Sequence, residues 1–277
     1  MSEPLRLLVI GAHPDDAEYK AGGLAAIYRA LGHGVRFVSL TNGEAGHQKI
    51  SGPELASRRR DESAAAAATL GLQYDVWDHP DGRLFPTLAL REQVIRLIRE
   101  DRPDLVLTHR PNDYHPDHRA TSQLVQDAAY LLTVPAICRE VPHLPRDPVI
   151  GYLSDEFTRP YSFDPSVVID IGPVWSQKMA MLDAHASQFY EWLPFNSGCL
   201  LEVPTTAEKR LEWLSARMIA KTEELAERWR ERLVATYGRE RGQGVMLAEA
   251  FEASEYGAPL DQAATDRLFP FLEAARR

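Results

Sequence analysis

The sequence predicts an α/β protein: a Rossmann-like, doubly wound, mostly parallel sheet flanked by helices, with a helical C-terminal extension. Two observations predict this class. Short apolar runs alternate with longer helical runs through the first half of the chain, which is typical of strand–helix–strand units joined by right-handed crossovers. The 277 residues are 44% hydrophobic and 26% charged, a composition typical of a globular chain that buries a large core.

The strand predictions depend on short apolar runs. Residues 5–12 (LRLLVIGA) form a nearly continuous apolar run, which is typical of a buried parallel strand. Similar runs at residues 35–41, 74–77 and 104–108 predict the second, third and fourth strands. Two further strands are predicted at 149–153 and 167–171.

The segments between the predicted strands have the periodicity or the composition of helices. Residues 53–70 contain five consecutive alanines and precede Gly71, a typical helix terminator. Helices are predicted at 22–31, 53–70, 87–101, 117–132, 174–189 and, as one helix or a pair, 207–237, with loops at 135–148 and 238–259 before a last short helix. We expect residues 1–277 to form a single domain, with a core at about 5–190 and a helical region at about 205–277.

Composition also narrows the partners and the compartment. The formal net charge is −9, from 31 basic and 40 acidic residues, which disfavours nucleic acid as a partner. No run approaches the ~18 apolar residues of a membrane span, and the N-terminal residues do not resemble a secretory signal. Cys138 and Cys199 are too few for a disulfide framework. We therefore expect a cytoplasmic protein that contacts no membrane.

A first polar cluster directly follows the first predicted strand. His13, Asp15, Asp16 and Glu18 lie within six residues, at the carboxyl end of a strand, where parallel sheets bind ligands. Carboxylates this close repel one another unless a cation lies among them, and histidine with aspartate suits zinc or iron. The alternative is a solvated turn in which an aspartate caps the next helix.

A second polar cluster follows the fourth predicted strand in the same way. His115 and His118 are three residues apart, so their imidazoles can converge where the chain enters a helix. The first and fourth strands are neighbours in the common doubly wound order, which would bring the two clusters together. The alternative is a polar turn with Asp117 as the helix N-cap. Two clusters at matched positions favour a metal site.

The two clusters resemble the signatures of a known family. The HPDDAE motif at 13–18 and the HPDH motif at 115–118 are similar, in order and in their spacing of about 100 residues, to those of the LmbE-like, or PIG-L, metal-dependent de-N-acetylases. RRDE at 59–62 and AHASQ at 184–188 add to the resemblance. The similarity extends from about residue 5 to residue 190, with a weaker match at 247–251.

The resemblance implies a metal site. The family motifs, carried onto this sequence, assign His13, Asp16 and His118 as ligands of one zinc ion per chain. Three protein ligands leave a coordination position open for water, as a catalytic zinc requires. Iron(II) is the alternative ion in the cell.

The resemblance also implies catalytic and binding roles. Asp15 is similar to the family's general base, and His115 to its second acid–base or oxyanion-stabilising residue. Asp117 is expected to orient one of the histidines. Arg59 is the candidate substrate-binding arginine, although the three consecutive arginines at 58–60 leave the register open.

The activity implied by the resemblance is zinc-dependent hydrolysis. The enzyme would remove the acetyl group from a small-molecule N-acetylated amino sugar or its conjugate, of the N-acetylglucosamine type, and release acetate. A non-heme iron(II) enzyme using oxygen at the same site is one alternative, and a non-catalytic sugar-binding protein is another. Asp15 favours hydrolysis, because a base beside the metal has no use in oxygen activation.

The remaining expectations concern single residues and assembly. Asn112 and Asp113 are candidates for the rim of the site, and His185 is either a structural histidine or a substrate contact. His109 fits no partner pattern. We assign tryptophans to packing, namely Trp175, Trp192, Trp213 and Trp229. We expect a homo-oligomer, because apolar residues recur at helical spacing late in the chain, at Leu211, Leu214, Met218 and Leu225.

Overall fold

The computed structural model describes residues 3–272 and is built around one seven-stranded sheet. The strands are β1 (Arg6–Gly11), β2 (Gly34–Ser39), β3 (Gln73–Val76), β4 (Leu105–Thr108), β5 (Val149–Leu153), β6 (Val167–Asp170) and β7 (Ala248–Gly257). Their order is β3-β2-β1-β4-β5-β7-β6. Strands β1 to β5 pair in parallel, and β7 is antiparallel to both β5 and β6. The predicted mostly parallel sheet is confirmed, and so is the pairing of the first and fourth strands.

Helices cover both faces of the sheet. They are α1 (Asp16–Ala30), α2 (Pro53–Leu70), α3 (Leu88–Asp101), α4 (Pro116–Ala129), α5 (Trp175–Ala184), α6 (Leu193–Asn196), α7 (Ala207–Arg228), α8 (Arg230–Tyr237), α9 (Arg239–Gly244) and α10 (Gln262–Leu268). Short 3₁₀ turns lie at Tyr130–Thr133, Gly172–Val174 and Leu200–Glu202, and a π-helical turn lies at Ser187–Trp192.

Strand β1 shows how the core divides between the two faces. Leu7 and Val9 pack with Leu24 of α1 in one buried cluster, whereas Leu8 and Ile10 pack in a second cluster with side chains of α3 and α4. Successive side chains of a strand point to opposite faces, so a continuous apolar run is buried on both sides. This placement leaves the carboxyl ends of β1 and β4 free to carry polar loops.

The expectation that the first helix spans residues 22–31 is wrong at its start. Helix α1 begins at Asp16 and contains Gly22 and Gly23 in its interior. A Cβ atom on Gly23 would lie 2.4 Å from Cγ2 of Ile171, closer than atoms can approach. Glycine therefore serves close packing at this position, and it does not begin the helix.

The predicted loop at 238–259 is also wrong, because it contains α9 and the ten-residue strand β7. The sequence of β7, AEAFEASEYG, is rich in alanine and glutamate, which have low strand propensity. Pairing with β5 on one side and β6 on the other overrides that propensity. The C-terminal region is therefore not wholly helical. Residues 273–277 of that region lie outside the described residues, and the single-domain assignment stays a prediction.

Two further expectations concern helices. The helix predicted at 174–189 ends at Ala184 and is followed by the π-helical turn, and the predicted 207–237 segment is the pair α7 and α8. Leu214 and Met218 of α7 are buried in a cluster with Met179, Leu182 and Phe189. Their helical spacing therefore reflects packing within the chain. Assembly into an oligomer stays a prediction. Within residues 3–272, no helix has the length and apolarity needed to cross a membrane.

Candidate active site

The two polar clusters meet where β1 and β4 end. The strands pair in register from Leu7 with Leu105 to Ile10 with Thr108, and each continues into a loop that begins a helix. As a result, His13 Nδ1 lies 3.2 Å from His118 Nε2. The expected convergence of the two clusters is present in the structure.

Asp15 adopts a strained backbone conformation between β1 and α1. Its φ of 126° is rare for a residue other than glycine, and its side chain makes no capping hydrogen bond to α1. The helix-cap alternative is therefore wrong for Asp15. Arg59 stabilises the turn, because its guanidinium donates to the Pro14 carbonyl and lies 3.3 Å from Asp15 Oδ1. Strain of this kind persists where the surrounding structure enforces it, commonly at functional sites.

His13, Asp16 and His118, here called the metal triad, present their donor atoms to one another. His13 Nδ1 lies 3.5 Å from Asp16 Oδ2, and His118 Nε2 lies 3.4 Å from Asp16 Oδ1. A tetrahedral ion with bonds of about 2.0–2.2 Å separates its ligand atoms by about 3.3–3.6 Å. The three separations are close to those around one ion of the size of zinc, with a different Asp16 oxygen facing each histidine. The Asp16 carboxylate also accepts hydrogen bonds from the backbone N–H groups of Ala12 and His13, which fix its position.

His109 belongs to the same site, which the sequence did not indicate. Its Nε2 lies 3.2 Å from Asp16 Oδ2, and its ring stacks on that of His118 with centroids 3.9 Å apart. Asp16, His109 and His118 form a group that could hold a metal ion, and this group shares Asp16 and His118 with the metal triad. Burial, together with the charge of His118, lowers the pKa of His109 to about 4. The available signal was its position immediately after β4, at the edge of the sheet where β1 also ends.

Each histidine of the metal triad contacts a carboxylate through its other ring nitrogen, the one that does not face the triad. His13 Nε2 lies 3.1 Å from Asp81 Oδ1 and 3.4 Å from Asp117 Oδ2, and His118 Nδ1 lies 3.0 Å from Asp113 Oδ1. A carboxylate on the far nitrogen fixes the ring and raises its basicity as a ligand. No role for Asp81 was predicted from the sequence, because its Asp-Gly pair is typical of an ordinary turn. Asp113, expected at the rim, lines the cavity and also contacts His118.

Asp117 has a further role in holding the site together. Its carboxylate accepts hydrogen bonds from the N–H groups of Gly82, at 2.7 Å, and Leu84, at 3.1 Å. It thereby fastens the loop that carries Asp81. The N-cap alternative for Asp117 is wrong, because His115 occupies the cap position of α4 and its Nδ1 accepts from the Asp117 N–H at 3.2 Å.

The two adjacent aspartates differ in their electrostatics. Burial raises the pKa of Asp15 to about 6, and the charge of Asp16 adds to this, while Arg59 opposes it. Burial also acts to raise the pKa of Asp16, but the neighbouring His118 and His109 hold it well below its usual range. Asp16 is thus the carboxylate that stays ionised among the imidazoles. Asp15 is the carboxylate whose pKa lies nearer to neutrality, as a proton acceptor requires.

The three consecutive arginines at 58–60 have side chains in different surroundings. Arg59 is buried and lines the cavity, where it also donates to the Gly43 carbonyl. Arg58 pairs with Glu191 and with Glu62, and Arg60 is exposed. Arg59 is therefore the one of the three that faces the site. Its observed contacts position the Asp15 turn, and substrate binding by Arg59 stays a prediction.

The remaining family-like motifs make structural contacts. His185 Nε2 lies 2.7 Å from Glu18 Oε1 in the buried interior, and His185 is not itself among the residues that line the cavity. Glu62 accepts hydrogen bonds from the N–H and the hydroxyl of Ser187. Glu249 accepts from two backbone N–H groups of α1 and pairs with Lys178. Of the two alternatives for His185, these contacts favour the structural one.

A cavity of about 620 Å³ opens onto the metal triad. This volume is typical of small-molecule sites. Aromatic side chains line it, namely Tyr19, Tyr114, Phe157, Phe189, Trp192 and Trp213. Trp192 and Trp213, which were assigned to packing, also line the cavity, and Trp213 packs against a buried cluster as well. Asn112, expected at the rim, is not among the lining residues and donates instead to the Arg159 carbonyl.

This chain is similar to proteins named as de-N-acetylases and to one named as a hydratase. Residues 8–129 match the family model described as PIG-L, GlcNAc-PI de-N-acetylase. The diacetylchitobiose deacetylase of Thermococcus kodakarensis is 30% identical over 205 residues, covering 69% of this chain and 74% of that protein. The 4-oxalmesaconate hydratase of Pseudomonas putida is 27% identical over 234 residues, covering 79% and 87%.

A solved structure shares the fold. The N,N'-diacetylchitobiose deacetylase of Pyrococcus horikoshii superposes with a TM-score of 0.69 at 22% identity, covering 91% of this chain and 84% of that one. The likeness extends along nearly the whole chain, beyond the 8–129 segment that matches the family model.

Proposed function

The chain belongs to the PIG-L, or LmbE-like, family, and from this we propose that it is a metal-dependent N-deacetylase of small N-acetylated amino sugars or their conjugates. It hydrolyses the acetamide to acetate and a free amine. The observation that carries the proposal is the metal triad at the base of a cavity that Asp15 also lines. We propose that residues 1–277 act as one deacetylase domain.

The donor set suits zinc. His13, Asp16 and His118 would hold the ion, as two nitrogens and one carboxylate do in catalytic zinc sites. Iron(II) is the alternative, since imidazole and carboxylate also suit that ion. A bound divalent ion supplies polarisation of the amide carbonyl and acidification of water.

Asp15 is the proposed general base. Its carboxylate lies in the cavity beside the metal triad, and Arg59 holds it there in the strained turn. It accepts the proton of the attacking water and can pass it to the departing amine nitrogen. A carboxylate held in one orientation performs this transfer without reorganisation.

His115 is the proposed stabiliser of the carbonyl oxygen. Its Nδ1 accepts the Asp117 N–H, so in the neutral ring the proton resides on Nε2. Burial and the neighbouring charges of His13 and His118 lower the pKa of His115, which favours that neutral form. The Nε2–H group is then a hydrogen-bond donor for the oxyanion that develops as water adds.

The relatives support the substrate class. One acts on diacetylchitobiose, and a Nocardioides relative, 30% identical over 176 residues, is named for a 2-acetamido-2-deoxy-glucopyranoside of inositol. The Pseudomonas putida relative supports a second candidate function, water addition to an unsaturated acid. The match between the two proteins covers 87% of that hydratase. The arginine-held Asp15 suits either reaction, so the products decide between them.

The test is a product assay on purified protein loaded with zinc or iron(II). A panel of N-acetylated amino sugars, including N,N'-diacetylchitobiose and N-acetylglucosaminyl conjugates, is screened for acetate release, with Asp15→Asn as the matched control. We expect acetate from at least one substrate and a large loss in the variant. Water addition to unsaturated acids without acetate release from any sugar would establish the hydratase reaction. Turnover that consumes oxygen would establish the iron alternative.

A further inference from the structure

Three basic side chains line the cavity without carboxylate partners. Within residues 3–272, Lys20, Arg217 and Lys221, here called the basic wall, form no ion pair with a carboxylate. Two other cations of the cavity are compensated, since Arg110 pairs with Asp155 at 2.7 Å and Arg59 lies 3.3 Å from Asp15. The basic wall is therefore the uncompensated positive part of this cavity.

The basic wall combines residues of two helices. Trp213, Arg217 and Lys221 follow one another at intervals of four along α7, which places them in one stripe on the helix surface. Lys20 follows Asp16 by four residues on α1, about 6 Å along the helix axis. The basic wall thus begins about one helical turn beyond the metal triad. A ligand with its acetamide at the triad would present its attached group, and not its acetamide, to these cations.

The cations of the basic wall contact aromatic side chains and not carboxylates. The Lys20 ammonium lies 5.0 Å from the centre of the Tyr19 ring, and the Arg217 guanidinium lies 4.8 Å from that of Trp213. Lys221 Nζ donates to the Tyr19 hydroxyl at 3.2 Å. Such contacts hold a cation in place but leave its charge free to attract an anion.

The local potential is positive although the chain carries a net charge of −9. Burial acts to raise the pKa of Tyr19, yet the charges of Lys20 and Lys221 lower it overall. Among the described cavity-lining carboxylates, Glu156 alone has no basic partner. Its single charge leaves the basic wall in excess.

We propose that the substrate is an amino-sugar conjugate whose attached group carries an anion, a carboxylate or a phosphate, bound by Lys20, Arg217 and Lys221. This inference rests on the proposed deacetylase function and deepens it by naming the substrate class. Charged hydrogen bonds from lysine and arginine are the contacts that such anions require. Tyr19 and Trp213 supply apolar surface beside them.

The test measures binding separately from turnover. Three N-acetylglucosamine glycosides that differ only in the attached group are compared: a carboxylate, a phosphate monoester and a carboxamide. Their affinities are measured by calorimetry on metal-loaded Asp15→Asn protein, with and without Arg217→Gln and Lys221→Gln together. Lys209→Gln, an exposed lysine on the same helix and outside the cavity, is the matched charge control.

We expect at least one charged glycoside to bind about tenfold or more tightly than the carboxamide, with the advantage decreasing as salt is added. The double variant should lose that advantage, and Lys209→Gln should keep it. The stronger of the two charged ligands identifies the anion. Equal binding of all three glycosides, or an unchanged advantage in the double variant, would overturn the inference. Lys20→Gln is the second variant, used if the double variant fails to fold.

Acetate release by the wild-type protein from the same three glycosides tests the underlying function. Release from all three with equal affinities refutes the anion inference and supports the deacetylase. Preferential binding of a charged glycoside without acetate from any of them refutes the deacetylase and supports the basic wall as an anion site.

Discussion

His13 Nδ1 lies 3.2 Å from His118 Nε2, although 105 residues separate the two histidines in the chain. Two buried imidazole nitrogens at this distance must share a proton or a cation, because two lone pairs facing each other repel. Asp16 faces both nitrogens and adds a negative charge, which favours a cation. This relationship makes the metal triad the centre of the functional account.

The first prediction concerns His118. His118→Ala removes a donor from the metal triad, so the protein should lose its bound zinc on dialysis, whereas the wild type keeps one ion per chain. Metal content by elemental analysis is the measurement. His143→Ala, a change of an exposed histidine, is the control and should keep the ion. Full occupancy in His118→Ala would remove His118 from the ligand set.

A second prediction concerns Asp113, which lies 3.0 Å from His118 Nδ1. Asp113→Asn keeps the shape but weakens the acceptor that orients the ring, so zinc affinity should fall by about 10–100-fold. Competition with a chelator measures this affinity. Asp127→Asn, an exposed position on α4, should leave it unchanged. An unchanged affinity in Asp113→Asn would mean that the contact does not support the ligand.

A third prediction tests the packing of α1. Gly23→Ala forces a Cβ to within 2.4 Å of Ile171, so the free energy of unfolding should fall by about 1–3 kcal/mol. At Gly22 the nearest atom is the flexible end of Met181, at 3.0 Å. Gly22→Ala is the matched control and should cost less, because alanine also favours the helix. Urea denaturation measures both, and equal losses would contradict the role assigned to Gly23.

Features that depend on residues close together in the sequence could be predicted from the sequence alone. The apolar runs of β1 and β4 and the clusters at their ends are local, so their positions predict that His13 and His118 meet at one edge of the sheet. Asp81 and His109 could not be assigned in this way. Asp81 contacts His13 from a distant loop that is hydrogen-bonded to Asp117, and the side-chain partner of His109 is Asp16, 93 residues away in the chain.

The difference between local sequence patterns and tertiary contacts also explains why strand β7 was not predicted. The alanine and glutamate residues of β7 carry no β-branched pattern, and the strand exists because β5 and β6 pair with it on both sides. The uncompensated charge of the basic wall is likewise a tertiary property. Nothing in the local sequence of Lys20 or Arg217 indicates that each lacks an acidic partner.

Asp15 and Asp16 are adjacent in the chain but have different roles in the proposed reaction. Asp16 faces both histidines of the metal triad, whereas Asp15 lies in the strained turn held by Arg59. Asp16→Asn should therefore lose both the ion and the activity. Asp15→Asn should keep the ion and the substrate affinity and lose only proton transfer.

The most direct test is to measure zinc content and acetate turnover on the same preparation of Asp15→Asn. We predict one zinc ion per chain and a turnover reduced by roughly 10²–10⁴-fold, the usual contribution of a general base. Loss of the ion from Asp15→Asn, with full occupancy in Asp16→Asn, would exchange the two roles. Full turnover in both variants would contradict the hydrolytic mechanism.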